Sequence, residues 1–251
     1  MKNNYNSKKK QLRNLNWLKI WEGKGYNLQS YKINNIIAAD GFTSALGTFN
    51  KQNWVKYIKT NFKHRKIKKN SKILEYGCGA GAFLSFWYGK KYDLNGIDYS
   101  KELIKKSKKY FPKIKFQCGE ISKLNSFKKN FDLIFSHSVF HYFNNYQYAE
   151  SLIKKMLSKL EDNGYIYILD VPDKDKEKKY VKQLVGKIGA TEFKKKYGMC
   201  SHLFYKKSFF RDIAKKNHLK IKIFNQNFKY YENSKYRYNV IFQKKLNKSF
   251  F

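Results

Sequence analysis

The chain has 251 residues, 42% hydrophobic and 18% aromatic, and its 54 Lys and Arg against 18 Asp and Glu give a formal charge of +36. That length and apolar share can supply the core of one α/β domain with an appendage. No run approaches the roughly 18 apolar residues of a membrane-spanning helix, and no apolar stretch follows the basic N-terminus as in a secretory signal. Three separated cysteines, Cys78, Cys118 and Cys200, point to a reduced, cytoplasmic protein without a disulfide framework, and their spacing gives no metal site.

The charge has two readings. Only Arg13, Arg65, Arg211 and Arg237 are arginine; the other basic residues are lysine, and Asn, Ile, Tyr and Phe are abundant. This follows A/T-rich codons better than a surface built to read phosphate, which would use arginine forks as well. The lysines are also spread over the whole chain. An attraction to anionic ligands follows in either case, with a nucleic-acid partner as the alternative.

In chain order, Leu12, Leu15, Leu18 and Trp21 fall at helical spacing, and "EGKGYN" (22–27) is expected to break that helix. "DGFTSALG" (40–47) reads as a loop, and 51–63 as a helix burying Trp54, Tyr57, Ile58 and Phe62. Residues 1–70 are expected to form a helical cap, too small to bury a core of its own. From 71 the pattern changes. "KILEY" (72–76) is a buried strand, followed by a glycine loop and a helix near 82–90. "DLNGID" (93–98) is a strand, and "SKELIKKSKKYF" (100–111) a helix with Ser100 as N-cap. Strands are expected at 113–118, 131–136 and 164–171, with a helix at 146–161. Residues 172–205 read as a helical insert, 206–217 as a helix, and 219–226 and 237–245 as two closing strands. Alternating strands and helices predict an α/β fold with a mostly parallel sheet covered on both faces.

The stretch "ILEYGCGAGAFL" (73–84) carries the chemistry. Gly77, Gly79 and Ala82 satisfy G-x-G-x-x-G/A between a strand and a helix. Asp98 ends the next strand about 20 residues on, the spacing of an acid that takes ribose hydroxyls. Glycine lets the main chain approach a ligand closely, and a helix N-terminus adds positive potential.

This pattern resembles the class I S-adenosylmethionine-dependent methyltransferases. "LEYGCGAGAF" is similar to their first motif, "GIDYS" (96–100) to the second, and "CGEI" (118–121) to the pair beside the adenine. "FDLIFSHSVFHYF" (131–143) resembles the strand and loop bordering the reacting methyl group, and 152–170 the helix and turn before strand five. "EDNGY" lacks the family's Pro-Gly, and Glu120 replaces a commoner Asp. The resemblance implies a Rossmann-like, mostly parallel seven-stranded sheet with helices on both faces, plus the helical N-terminal cap and the helical insert before the last two strands. It implies S-adenosyl-L-methionine as cofactor and S-adenosyl-L-homocysteine as product. Gly77 and Gly79 would lie against the methionyl part, with Glu75 two residues upstream. Asp98 would accept the ribose hydroxyls, Tyr99 would flank the adenine, Glu120 and Ile121 would hold its edge and face, and Ser136 and His137 would lie near the sulfonium.

Absent motifs narrow the acceptor. With only Pro112 and Pro172, no [DNS]-P-P-[YFW] motif for exocyclic base amines and no Pro-Cys pair for cytosine C5 chemistry can exist. His137 and His141 are the candidate catalytic residues, and a histidine suits proton removal from a hydroxyl. Trp17, Trp21, Tyr26, Tyr31 and Phe42 form an aromatic lid or dock the cap. The expectation is methyl transfer to a small-molecule oxygen on an anionic or sugar-like metabolite, such as a surface-glycan precursor. An RNA (tRNA) methyltransferase and a non-catalytic cofactor-binding module are the alternatives.

Overall fold

Strand β3 (Lys72–Tyr76) is buried on both faces and lies in the middle of the sheet, as its unbroken apolar character requires. The structure is a computed structural model; it describes residues 16–44, 47–63, 67–128, 130–198 and 202–244. Beside β3 run β4 (Asp93–Asp98) and β5 (Lys115–Cys118) on one side. On the other come β6 (Phe131–His137), β7 (Leu160–Pro172), β9 (Arg237–Gln243) and β8 (Lys220–Asn225). The order β5-β4-β3-β6-β7-β9-β8 is parallel except for β9, which pairs antiparallel with both neighbours. The chain leaves β3 toward β5 and returns to lay β6 on β3's other edge. This reversal opens a crevice at the strands' carboxyl ends.

Helices cover both faces. One face carries α5 (Tyr146–Leu157) and α8 (Lys207–Lys216), whose Leu152, Ile153, Met156, Phe210 and Ile213 pack with Ile134, Ile166 and Val240. The other carries α4 (Lys101–Tyr110) and the cap: α1 (16–27), α2 (Ile33–Ala39) and α3 (Lys51–Phe62). Trp54, Tyr57, Ile58 and Phe62 of α3 are all buried, as their spacing predicts. Phe62 stacks on Tyr167 of β7 with ring centroids 5.0 Å apart. A buried polar chain adds direction to this contact. Asn239 Nδ2 donates to Asn61 Oδ1 (2.6 Å), and the Asp170 N–H donates to Asn239 Oδ1 (2.9 Å). Asp170 lies where the β7–β9 register slips, with φ +62°, so the network holds a conformation that costs energy in a non-glycine residue. The insert forms α6 (Glu177–Ile188) and α7 (Ala190–Tyr197) ahead of β8 and β9.

Four local expectations need correction. "EGKGYN" does not break α1, which is helical through 27; Leu12 and Leu15 lie outside the described residues. Its exposed-looking acid, Glu22, accepts from Lys101 N (2.8 Å) and Glu102 N (2.9 Å) and so caps α4. The loop at 40–47 contains a short hairpin, β1 (Thr43–Ser44) with β2 (Gly47–Thr48). The helix expected near 82–90 is one 3₁₀ turn, Leu84–Phe86. Ala82's carbonyl already accepts from Trp54 Nε1 (3.0 Å) and Ser85 Oγ (2.7 Å), which diverts it from α-helical pairing. Finally, α5 ends at Leu157, and 160–163 join β7 instead.

Gly25 faces α4 so closely that an added Cβ would lie 2.6 Å from Leu103 N, whereas Gly23 has open space. Alanine at either helical position should gain about 0.5–1 kcal/mol by propensity. The expected outcome is that Gly23→Ala raises the urea midpoint. Gly25→Ala should lower stability by about 1–3 kcal/mol through overpacking against backbone, read by the same urea denaturation.

Candidate active site

The carboxyl ends of β3, β4 and β6 open into a cleft of about 260 Å³. Its floor is the glycine loop. Gly77 and Cys78 donate their N–H groups to Ile97 O (2.8 and 3.1 Å), tying the loop to β4. Gly79, with φ +52°, donates to Asp98 Oδ2 (2.9 Å), and Ser100 N donates to Asp98 Oδ1 (2.9 Å). A Cβ on Gly79 would meet Asp40 Oδ1 at 2.2 Å, so only glycine fits there. Asp40 follows α2 and accepts from Ala80 N (2.6 Å) and Ala82 N (2.9 Å). The cap therefore inserts a carboxylate into the glycine loop. Nothing in the sequence around "AADGF" marks that acid, because the contact spans forty residues and depends on where α2 docks.

Four carboxyls, Asp40, Glu75, Asp98 and the exposed Glu120, line one cleft. Burial pushes Asp40 up to about 7, against the lowering effect of the Ala80 and Ala82 N–H bonds, and nearby Asp98 adds to the rise. Burial likewise raises Asp98 to about 6, opposed by its backbone donors. Glu75 is held well above the ordinary range by burial and by the charges of Asp40 and Asp98. Its Oε2 is buried and has no hydrogen-bond partner among the described residues. Lys24 acts on Asp40, but burial lowers its own pKa. The arrangement is a site short of positive charge, which suits a cationic ligand.

Gly77, Gly79, Asp98, Tyr99, Glu120 and His137 all line this cleft beside Glu75. Ser136 does not. Strand alternation turns it away from His137, and it is fully buried with its hydroxyl unpartnered among the described residues. Ile121 opens a 3₁₀ turn, but its side chain lies outside the described residues. His137 stacks on Phe42 at 5.0 Å, and its Nε2 lies 3.0 Å from the Tyr57 hydroxyl. Gln226 Nε2 donates to that hydroxyl (2.6 Å), so the tyrosine proton is directed at His137. Burial lowers His137 to about 4. Its ring is neutral and packed into the cleft wall, and its Nε2 is occupied by the tyrosine hydroxyl.

His141 lies buried in the loop after β6, where the sequence places it, but lines a separate, second cavity of about 150 Å³. There it meets Tyr142 (4.0 Å between ring centroids) and His202 (4.5 Å). Trp17, Trp21, Asp40, Phe42, Ser138 and Tyr142 line both cavities. Of the expected aromatic lid, Tyr26 and Tyr31 are instead exposed. Among the described residues no group of His, Cys, Asp and Glu is arranged to hold a metal ion, and no helix is long and apolar enough to cross a membrane.

A family described as a methyltransferase domain matches residues 67–242. The chain belongs to that family. It is an S-adenosylmethionine-dependent methyltransferase, with the Rossmann-like seven-stranded sheet, N-terminal helical cap and late helical insert of the sequence reading. It is 30% identical over 200 residues to a ubiquinone biosynthesis O-methyltransferase of Pelagibacter ubique, covering 72% of this chain and 78% of that protein. It is 31% identical over 100 residues to phosphoethanolamine N-methyltransferase 3 of Arabidopsis thaliana, covering 38% of this chain and only 20% of that protein. Among solved structures it resembles the plantazolicin methyltransferase BpumL, whose crystal structure contains a triazolic desmethylPZN analog and SAH. The TM-score is 0.59 at 22% identity, covering 92% of this chain and 99% of that one.

The cleft of this methyltransferase fits its cofactor. Gly77 and Gly79 line it beside Glu75, whose buried Oε2 is unpartnered among the described residues, and S-adenosylmethionine carries a sulfonium and an ammonium that such an oxygen can face. The carboxyls set a pH signature. Asp40 and Asp98 have folded pKa values of about 7 and 6, above the unfolded value of about 4. Their contribution to stability is full below about pH 4 and is lost as pH rises through 6 to 7. The ligand-free protein's melting temperature should fall from pH 5 to pH 8, and Asp40→Asn should flatten much of that fall. Bound S-adenosylmethionine, pairing with the ionised forms, should flatten it as well. Calorimetric scans across pH check all three.

Proposed function

We propose that this methyltransferase moves the methyl group to a hydroxyl oxygen of a small, anionic or sugar-like acceptor held in the second cavity. One observation carries this reading: a cavity of about 150 Å³ adjoins the cofactor cleft and shares six wall residues with it. Such a chamber accepts a small molecule or a single extruded group and aligns it with the cleft.

In this reading Asp98 accepts the ribose hydroxyls, and Tyr99 and Glu120 border the adenine. Gly77 and Gly79 border the methionyl part, and Glu75 and Asp40 face its positive charge. When bound, the cofactor supplies a methyl group on a positively charged sulfur, which keeps the electron pair as the carbon–sulfur bond breaks and the carbon–oxygen bond forms. His141 takes the acceptor's hydroxyl proton. Phe42, Trp17, Trp21 and Tyr142 exclude water between the two cavities. Relatives named for O- and N-methyl transfer both exist; the histidine beside the chamber favours oxygen. The +36 charge favours an RNA acceptor, but the lysines occur on α3 to α8 alike and form no single track.

Radiolabelled methyl transfer into separate small-molecule and RNA pools tests the acceptor class. Label is expected in the small-molecule pool; label confined to RNA would overturn the proposal. Asp98→Ala should weaken S-adenosylhomocysteine binding in calorimetry by about 1.5–3 kcal/mol, the range for a hydrogen bond to a charged group. His141→Gln should cut kcat about 100-fold or more, leave S-adenosylhomocysteine affinity unchanged, and regain rate at high pH where the acceptor ionises unaided.

A further inference from the structure

Arg237 opens β9 at the inner end of the second cavity. It is 3% exposed, and its Nε and Nη1 have no hydrogen-bond partner among the described residues. Among the described residues its guanidinium carbon lies 5.5 Å from the Tyr180 ring. Asp170 is near enough to favour the charged form but makes no ion pair with it. Asp170's Oδ2 is instead held by Ser138 Oγ (2.8 Å) and the Tyr231 hydroxyl (3.1 Å). A buried guanidinium without an anion on its nitrogens is costly to keep. The choice of residue is equally telling. In a chain with four arginines among 54 basic residues, an arginine occupies this buried position. A lysine there could shed its proton, whereas an arginine cannot.

We propose that Arg237 is the acceptor-recognition residue and that the acceptor is a small, flat carboxylic acid whose carboxylate pairs with this guanidinium. This rests on the second cavity being the acceptor site. Asp170 already offsets part of the guanidinium's charge, so a monoanion is the most the site can take, and a phosphate dianion would leave a larger excess of negative charge. The planar fork of the guanidinium matches the two oxygens of a carboxylate. The rings of Tyr142, Tyr180, Tyr197 and Tyr231 line the chamber, giving flat apolar faces with hydroxyls at their edges. Asn233, whose Oδ1 is unpartnered among the described residues, adds a further polar group to the wall.

The test uses S-adenosylhomocysteine-loaded full-length protein titrated with benzoate, benzamide and inorganic phosphate at fixed ionic strength. Benzoate should bind at least about tenfold more tightly than its neutral isostere or phosphate. Arg237→Met should remove that preference, leave S-adenosylhomocysteine affinity within about twofold, and leave the ligand-free melting temperature undiminished, since it deletes an unpaired buried charge. Arg237→Lys should retain part of the preference. The proposal is overturned if benzoate does not bind, if benzamide or phosphate matches it, or if Arg237→Met keeps the preference. It is also overturned if that variant melts well below the wild type, which would mark a structural cation. Label in a neutral small-molecule product would sink this proposal while leaving the small-acceptor reading standing; label confined to RNA would sink that reading instead.

Discussion

Everything in the cofactor cleft depends on one imbalance: the three inner carboxyls gathered at the glycine loop outnumber the one cation, Lys24, that acts on them. Each is placed by a different element: Glu75 by β3, Asp98 by β4 and Asp40 by the cap after α2. Burial alone would drive them neutral. The backbone N–H groups of Gly79, Ala80, Ala82 and Ser100 hold Asp40 and Asp98 near the boundary between charged and neutral forms. A site poised in this way gains most when a positive ligand arrives, because the ligand supplies the missing charge and lowers the carboxyls' proton affinity together. The fold thereby selects a sulfonium cofactor by electrostatics as well as by shape.

Much of this was legible in the sequence. The strand–glycine-loop pattern and the acid at the end of the next strand are local signals, and Gly77, Gly79, Glu75 and Asp98 lie together in the structure. The sheet was also readable, because buried strands are written as short apolar runs between helical periods. The failures share a cause, which is contact between distant segments. Asp40 and Arg237 carry no local signature; α2 and β9 bring both to the second cavity. The 3₁₀ turn after the loop fails as a helix because Trp54, thirty residues earlier, takes a carbonyl that an isolated segment would have used itself. Ser136 and His137 cannot both face the cleft, because neighbouring residues of a strand point to opposite faces, and the structure gives that place to His137.

The aromatic wealth of the chain serves the junction of cap and sheet. Phe42, Phe49, Trp54, Tyr57, Phe62, Phe83 and His137 form one connected set of rings. Ring pairs of this kind contribute about 0.5–1.5 kcal/mol each beyond the area they bury. A cap without a core of its own can therefore be held firmly enough to position Asp40 within hydrogen-bond range of the glycine loop.

Helix α1 lies over both ligand spaces, since Trp17 and Trp21 border each of them. It is fastened at one side by Glu22 on the first turn of α4 and at the other by Trp17 against Tyr142 and His202. A single roof over two rooms ties them together: any change that shifts α1 alters the walls of the cofactor space and of the acceptor space at once.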